Sequence, residues 1–461
     1  MAFPVDLRRC QALGLAGSAV LALGGETAGA LPVRESLSPT SGRGAGLVGV
    51  YFGVVLLIAA WALLGKVIRG PEPPTPRALL VVLAVWAAPL LLAPPLFSRD
   101  VYSYLAQGAM VDAHLDVYLH GPARLGGPLA DEVAPMWRHS ATPYGPVFLA
   151  LASGLSGLTD GRIPAGLIGM RLIALLGVAL MAVALPRLAR HSGTDPAVAL
   201  WLGALNPLVL LHLVAGAHND AMMLGLLGVG LVLARGRWYL VGVVLVTLAA
   251  LVKAPAALGL VAVVVMRGRT GLVRTAAGTL AVAAVTTTAA TALTGTGYGW
   301  IAALRTPVSP ENWSPTTVLG RATGTLLHGL GSDLAPLALP AWRAAGLLLT
   351  IAVVLHIWFR RRPGPVYALG LSLLTLAALS PAIRPWYALW SLFLIAAAAR
   401  SVRVQRRVAV ASAVLALAVL PSGNPADTEQ IVLAVCGGVL AVVVLWQAEQ
   451  ASRVPALERT A

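Results

Sequence analysis

Residues 238–266 read WYLVGVVLVTLAALVKAPAALGLVAVVVM, bounded by Arg235 and Arg237 before them and by Arg267 and Arg269 after them. A run this apolar belongs in hydrocarbon, where roughly 20 residues make one helical crossing of a ~30 Å core. Basic residues collect on the inner side of a membrane, so clusters at both ends put both ends on one face. A single crossing cannot do that, whereas a broken hairpin with its tip at Lys253-Ala254-Pro255 can. Its arms of about 14 residues reach only ~20 Å at 1.5 Å per residue. The tip therefore ends within the membrane or in a cavity, and it takes the ammonium of Lys253 with it.

The rest of the chain follows the same pattern. Of 461 residues, 58% are hydrophobic and 11% charged, against roughly 25% charged in soluble domains. Apolar runs recur from Cys10 to Trp446. They are continuous rather than alternating, which selects helices over the strands of a barrel. The expected fold is all-α: a polytopic transmembrane helix bundle of roughly 12 to 15 membrane segments, built as a single membrane-embedded domain over residues 1–461. The run 143–158 is short and carries Pro143, Gly145 and Pro146, so it is read as re-entrant. The first run, behind Arg8 and Arg9, is read as a signal-anchor helix rather than a cleaved leader.

The net charge of +15 falls in short clusters between apolar runs: Lys66 to Arg77, Arg187 to Arg190, Arg235 to Arg237, Arg267 to Arg274, Arg360 to Arg362 and Arg400 to Arg407. Clusters so placed are topology signals, not a surface for nucleic acid. Cys10 and Cys436 both sit in apolar runs and read as packed thiols. Two less apolar stretches, about 98–142 and 295–337, fall on the outer side and hold seven of the chain's 18 acidic residues.

Ionisable groups at membrane depth cost about 3 kcal/mol each and are kept where they do something. Asp100, in the word Ser98-Arg99-Asp100-Val101-Tyr102-Ser103-Tyr104, stands where the run 78–97 emerges, and a carboxylate there can take a proton from an attacking hydroxyl. Read structurally, it caps a helix or pairs with Arg99. His218-Asn219-Asp220 interrupts an otherwise apolar run, more polarity than a helix cap needs. Lys253 suits a lipid phosphate, its alternative being an ion pair with Asp220 or another internal acid. Arg384 in Arg384-Pro385-Trp386-Tyr387 can fork onto phosphate oxygens. Trp386 and Tyr387 read either as interfacial belt residues or as a stacking surface for a sugar. Asn312-Trp313-Ser314-Pro315 and Tyr144-Gly145-Pro146 are weaker signals of the same kind. No His-Glu-x-x-His, cysteine pair or Asp-x-Asp offers a metal site, and no glycine-rich phosphate loop follows a strand.

Taken in order, Ser98 to Tyr104 with Gln107-Gly108, Pro143-Tyr144-Gly145-Pro146, Asn206-Pro207 with Gly216 to Asp220, Asn312 to Pro315 and Arg384 to Tyr387 resemble the actinobacterial polyprenol-phosphate-mannose-dependent α-1,6-mannosyltransferases of the MptA/MptB type, within the glycosyltransferase class C superfamily. The resemblance implies a metal-independent, cofactor-free plasma-membrane enzyme. It would use polyprenyl-phosphate mannose to extend the α-1,6-mannan backbone of a lipomannan-like glycolipid acceptor on the outer face, with inversion. It further implies Asp100 as catalytic base and a substrate cavity shared by Arg99, Tyr102, Tyr144, His218, Asn219, Asp220, Lys253, Asn312, Trp313, Arg384, Trp386 and Tyr387. The reading of another class is a transporter or lipid flippase that uses the His, Asp and Lys as a proton relay.

Overall fold

The computed structural model describes residues 6–32, 42–268, 271–306, 313–361, 363–424 and 426–453. Every regular element among them is helical. The apolar runs are helical because a helix satisfies its own backbone groups in lipid.

The hairpin that opened the sequence reading is present. Tyr239–Val252 and Leu258–Arg267 are separated by Lys253 and a short 3-10 turn, Ala254–Ala257. Their far ends meet: the Arg267 guanidinium donates to the Gly236 carbonyl at 3.0 Å and lies over the Tyr239 ring at 4.8 Å. The other basic clusters join them. Arg400 Nε donates to the Ser192 carbonyl at 2.7 Å and Arg69 Nη2 to Gln405 Oε1 at 3.2 Å. His191, Arg235, Pro365 and Arg400 line one recess of about 410 Å³ at this end. The charges assigned to an inner face thus gather at one end of the bundle.

From that end the chain repeatedly runs about two-thirds of a bilayer and then breaks. Asp220–Ala234 has 15 residues, Tyr239–Val252 has 14 and Pro365–Leu379 has 15, about 21–22 Å of helix each. Their breaks, at 216–219, at Lys253 and at 380–384, lie at a common depth. A fourth element meets them from the opposite side. Pro146–Thr159 begins at Gly145, where an added Cβ would stand 2.2 Å from the Leu251 carbonyl at the hairpin tip. Only glycine permits that approach. The helix has 14 residues and falls among the shorter apolar helices.

One expectation is met in part and another needs correction. By length and composition, five described helices can cross a membrane alone, Arg43–Ile68, Ile163–Ser192, Leu272–Thr294, Ala335–Arg360 and Thr428–Gln450; the pair Val209–Ala215 and Asp220–Ala234, bent by 109°, makes at most a sixth. Six further described apolar helices have 10–17 residues; three of them lie in the runs 143–158 and 238–266, read from the sequence as not crossing. The stretch 98–142, expected as a loop on the outer side, is not all loop. Asp100–Asp112 is a helix, buried from Val101 to Gly108, and a Cβ on Gly108 would lie 2.3 Å from the Ala152 carbonyl. Helix-to-helix contact this close is made by small residues, so no long apolar run announces it. Cys10 is buried, while Cys436 faces outward from the last helix.

Candidate active site

A cavity of about 620 Å³ opens where the breaks converge, and Asp100, Gln107, Tyr144, Lys253, Arg384, Trp386 and Tyr387 stand on its wall. Asp100 is the first residue of its helix, where aligned peptide dipoles favour negative charge. Its backbone N–H donates to Ser98 Oγ at 3.0 Å. Phe97, just before, holds a left-handed φ of 65° and donates its N–H to the Pro421 carbonyl at 2.8 Å. A non-glycine residue in that conformation costs about 1–3 kcal/mol and persists only when its surroundings enforce it. Here it turns the chain so that the carboxylate faces the cavity with 19% of its side chain exposed. Asp100 lies outside the spanning helices, and burial raises its pKa above the ordinary carboxylate value; Arg384 and Lys253 pull in the other direction.

Behind Asp100 lies a fully buried layer. His218 Nδ1 is 3.8 Å from Asp100 Oδ2 and hydrogen-bonds the Tyr104 hydroxyl at 3.3 Å. The imidazole stacks on Trp386, centroids 4.3 Å apart. Ala217, with φ 51°, makes the turn that aims it. Asp220 begins the next helix and accepts from Lys253 Nζ at 2.9 and 2.8 Å and from Trp390 Nε1. Rings of Tyr387, Trp390 and Tyr144 surround the ammonium at 4.9, 5.4 and 5.8 Å.

The pair assigns Lys253 a different task from the one its chemistry first suggested. Its positive charge is neutralised by Asp220, the alternative noted from the sequence. Arg384 has no carboxylate partner among the described residues; its guanidinium lies over the Trp137 ring at 5.7 Å and faces the cavity. The Arg384 turn is itself tied down, because the hydroxyls of Ser314 and Thr317 both donate to the Pro381 carbonyl, at 3.0 and 3.3 Å.

The predicted residues therefore divide. Asp100, Tyr144, Lys253, Arg384, Trp386 and Tyr387 meet on one cavity, and the last two are part of its wall rather than a lipid belt. His218, Asn219 and Asp220, at most 2% exposed, stand one layer behind it. Arg99 and Tyr102 are corrected to packing roles. Arg99 donates to the carbonyls of Leu31 and Glu132 and pairs with Glu132 at 3.4 Å, and the buried Tyr102 hydroxyl donates to the Ala30 carbonyl at 2.8 Å. Trp313 is 80% exposed beneath Arg321 and away from the cavity wall. Asn312 lies outside the described residues. Sequence reasoning missed Trp390 and Trp137. Trp390 was within reach, one helical turn after Trp386, whereas nothing around Trp137 marks it.

Comparison with known proteins bears on the chemistry. Residues 11–269 match the family model described as α-(1→6)-mannopyranosyltransferase, N-terminal domain, of the MptA/MptB family, and residues 316–447 match the MptB C-terminal domain. The chain is 35% identical to a probable α-(1→6)-mannopyranosyltransferase of Mycolicibacterium smegmatis, over 85% of this chain and 79% of the relative. It is 35% identical to α-(1→6)-mannopyranosyltransferase A of Mycobacterium tuberculosis, over 89% and 84%. It is 32% identical to α-(1→6)-mannopyranosyltransferase B of Corynebacterium glutamicum, over 91% and 78%. No solved structure matches it.

Proposed function

The chain belongs to the MptA/MptB family of α-(1→6)-mannopyranosyltransferases, and from that premise we propose that it transfers mannose from polyprenyl-phosphate mannose to the 6-hydroxyl of a mannosyl glycolipid, extending an α-1,6-mannan on the outer face of the membrane. Membership makes it a mannosyltransferase and displaces the transporter reading. One observation carries the finer proposal: a partly buried carboxylate, Asp100, and a cation without a salt-bridged acid among the described residues, Arg384, face the same cavity. A transfer from a phosphate-linked sugar needs these two charges, a base for the incoming hydroxyl and a cation for the departing phosphate.

In this mechanism Asp100 takes the proton of the acceptor hydroxyl as its oxygen bonds to the anomeric carbon. The bond from that carbon to the phosphate oxygen breaks, and the bonding pair leaves with polyprenyl phosphate, whose added charge Arg384 offsets. Attack from the face opposite the phosphate turns a β-linked donor into an α-linked product. No metal enters the scheme. The outer-face assignment rests on depth, since the reacting groups lie about 21 Å from the basic end of a ~30 Å hydrocarbon core.

The test is transfer of labelled mannose by purified protein from polyprenyl-phosphate mannose to a short α-1,6-mannoside. Asp100→Asn is expected to lower kcat by about 10²–10⁴-fold, the usual contribution of a general base. Wild-type rates from the Asn protein would remove Asp100 from the role.

A further inference from the structure

The cavity has two unlike walls. Toward the Asp100 helix it is polar and aromatic, with Ser103, Gln107, Trp137 and Ser140. Toward the lipid it is a strip of aliphatic side chains. Leu347, Ile351, Val354 and Leu355 of the Ala338–His356 helix follow the spacing of one helical face. Ala257 and Leu258 stand across from them. Thr350, the one hydroxyl on the strip, already donates to the Gly346 carbonyl at 2.8 Å. Both flanking helices pack on Pro365–Leu379, whose Leu376 forms the floor. The cleft is open to the side, for Leu347, Ile351 and Leu355 are 59%, 48% and 50% exposed.

The strip has a direction. Arg360 ends its run at the basic end of the bundle, so Leu347 lies about 20 Å from that end, level with Lys253, and Leu355 only about 8 Å from it. From Leu347 to Leu355 the groove descends about 12 Å. A lipid with its phosphate at Arg384 and its head in the outer leaflet sends its chain the same way, through the midplane of a ~30 Å core and about 7 Å beyond it. A lipid from the opposite leaflet would run against it.

We infer that the cleft between Ala338–His356 and Leu258–Arg267 is the lateral entrance for the donor's isoprenoid chain and that it reads only the first two or three isoprene units. This rests on the donor class proposed above. Each unit has four chain carbons with ~1.5 Å bonds and extends about 5 Å, so a 12 Å groove holds two to three before the chain passes into bulk lipid. Beyond that length the protein makes no contact, and affinity stops rising.

The experiment uses the whole protein in nanodiscs with mannosyl phosphates of one, three, seven and ten isoprene units. Transfer by wild type from the long donors establishes the donor class on its own. The expected wild-type KM then falls from one to three units and is flat from three to ten. Val354→Trp fills the groove: KM for the seven- and ten-unit donors is expected to rise tenfold or more, while kcat/KM for the one-unit donor stays within twofold, which also shows that the variant is folded. Leu348→Trp, on the same helix but off the groove and 67% exposed, is expected to match wild type with every donor. A KM that keeps falling from three to ten units overturns the inference, as does a Val354→Trp protein that treats long donors like wild type or loses short and long donors alike.

Discussion

Replacing Asp220 by Asn keeps the shape of the side chain and removes the charge that accepts from Lys253 Nζ at 2.8 and 2.9 Å. Asp220 is 0% exposed and Lys253 9%, so water does not take the carboxylate's place. The ammonium is then buried without a counter-charge, and breaking a buried pair from one side costs about 3–5 kcal/mol. The rings of Tyr387, Trp390 and Tyr144 already surround the ammonium in the native protein, so they offer no new compensation. Lys253→Met strands the carboxylate instead, leaving it the Trp390 N–H, and is expected to lose a similar amount. With both changes neither charge remains, and stability is expected to return to within about 1–2 kcal/mol of wild type, a coupling energy of about 3 kcal/mol or more. SDS-driven unfolding in mixed micelles, followed by tryptophan fluorescence, measures all four corners of the cycle. A coupling below about 0.5 kcal/mol would refute the pairing and leave Lys253 available to phosphate. The double variant also tests the division of labour, because Arg384 is intact in it. Donor KM is expected within about threefold of wild type, and a tenfold rise, about 1.4 kcal/mol, would return Lys253 to the donor site.

Three further outcomes follow from the structure. Asp100 must be ionised to act as base, and burial raises its pKa. The acid limb of kcat/KM is thus expected above the ordinary aspartate value of about 3.9, with activity lost as pH falls through it. Arg384 favours the carboxylate, so Arg384→Met is expected to move that limb to higher pH and to raise donor KM by about tenfold to a hundredfold, the loss of a charge-assisted contact of about 1.5–3 kcal/mol. A limb that stays in place in the Met protein would separate the two groups. Gly145→Ala is expected to destabilise by about 1–3 kcal/mol, because its Cβ would stand 2.2 Å from the Leu251 carbonyl. An unchanged unfolding midpoint would contradict the close approach at the hairpin tip.

What the sequence revealed of this architecture follows from what composition encodes. The hairpin at 238–266 was legible because basic clusters at both ends and a Lys-Ala-Pro break leave one topology. The 12 to 15 expected membrane segments are not matched by as many long helices among the described residues, because hydropathy registers apolar length, not where a helix breaks. The Asp100–Asp112 helix escaped notice for the complementary reason: Ser103, Gln107 and Gly108 are neither apolar nor periodic, and Gly108 is buried against Ala152, some 45 residues away in the chain. Asp100, Lys253 and Arg384 could be picked out singly, since each is an ionisable residue at a helix break. Their partners could not, because Lys253 and Arg384 differ only in whether an acid stands opposite. Asp220 stands opposite one of them, and that choice is made by three dimensions. Arg99 shows the same limit in reverse: adjacent to Asp100 in the chain, its guanidinium turns to Glu132.

The depth of the breaks links fold to chemistry. Helices that begin at the basic end and stop after about 21 Å leave their termini inside the hydrocarbon, where unpaired backbone groups are costly unless something polar meets them. Asp220 and the 216–219 turn sit at one such terminus and Lys253 at the next, and their ion pair joins the two. Arg384 stands at the third with no ion-pair partner among the described residues. The same stopping short that exposes backbone ends also opens the room in which a carboxylate and a cation face each other across a substrate. Lengthening one arm should therefore damage the reaction centre more than the fold. A one-turn insertion that carried Lys253 past Asp220 would break the pair and misplace the cavity wall while leaving the arm's apolar face on its neighbours.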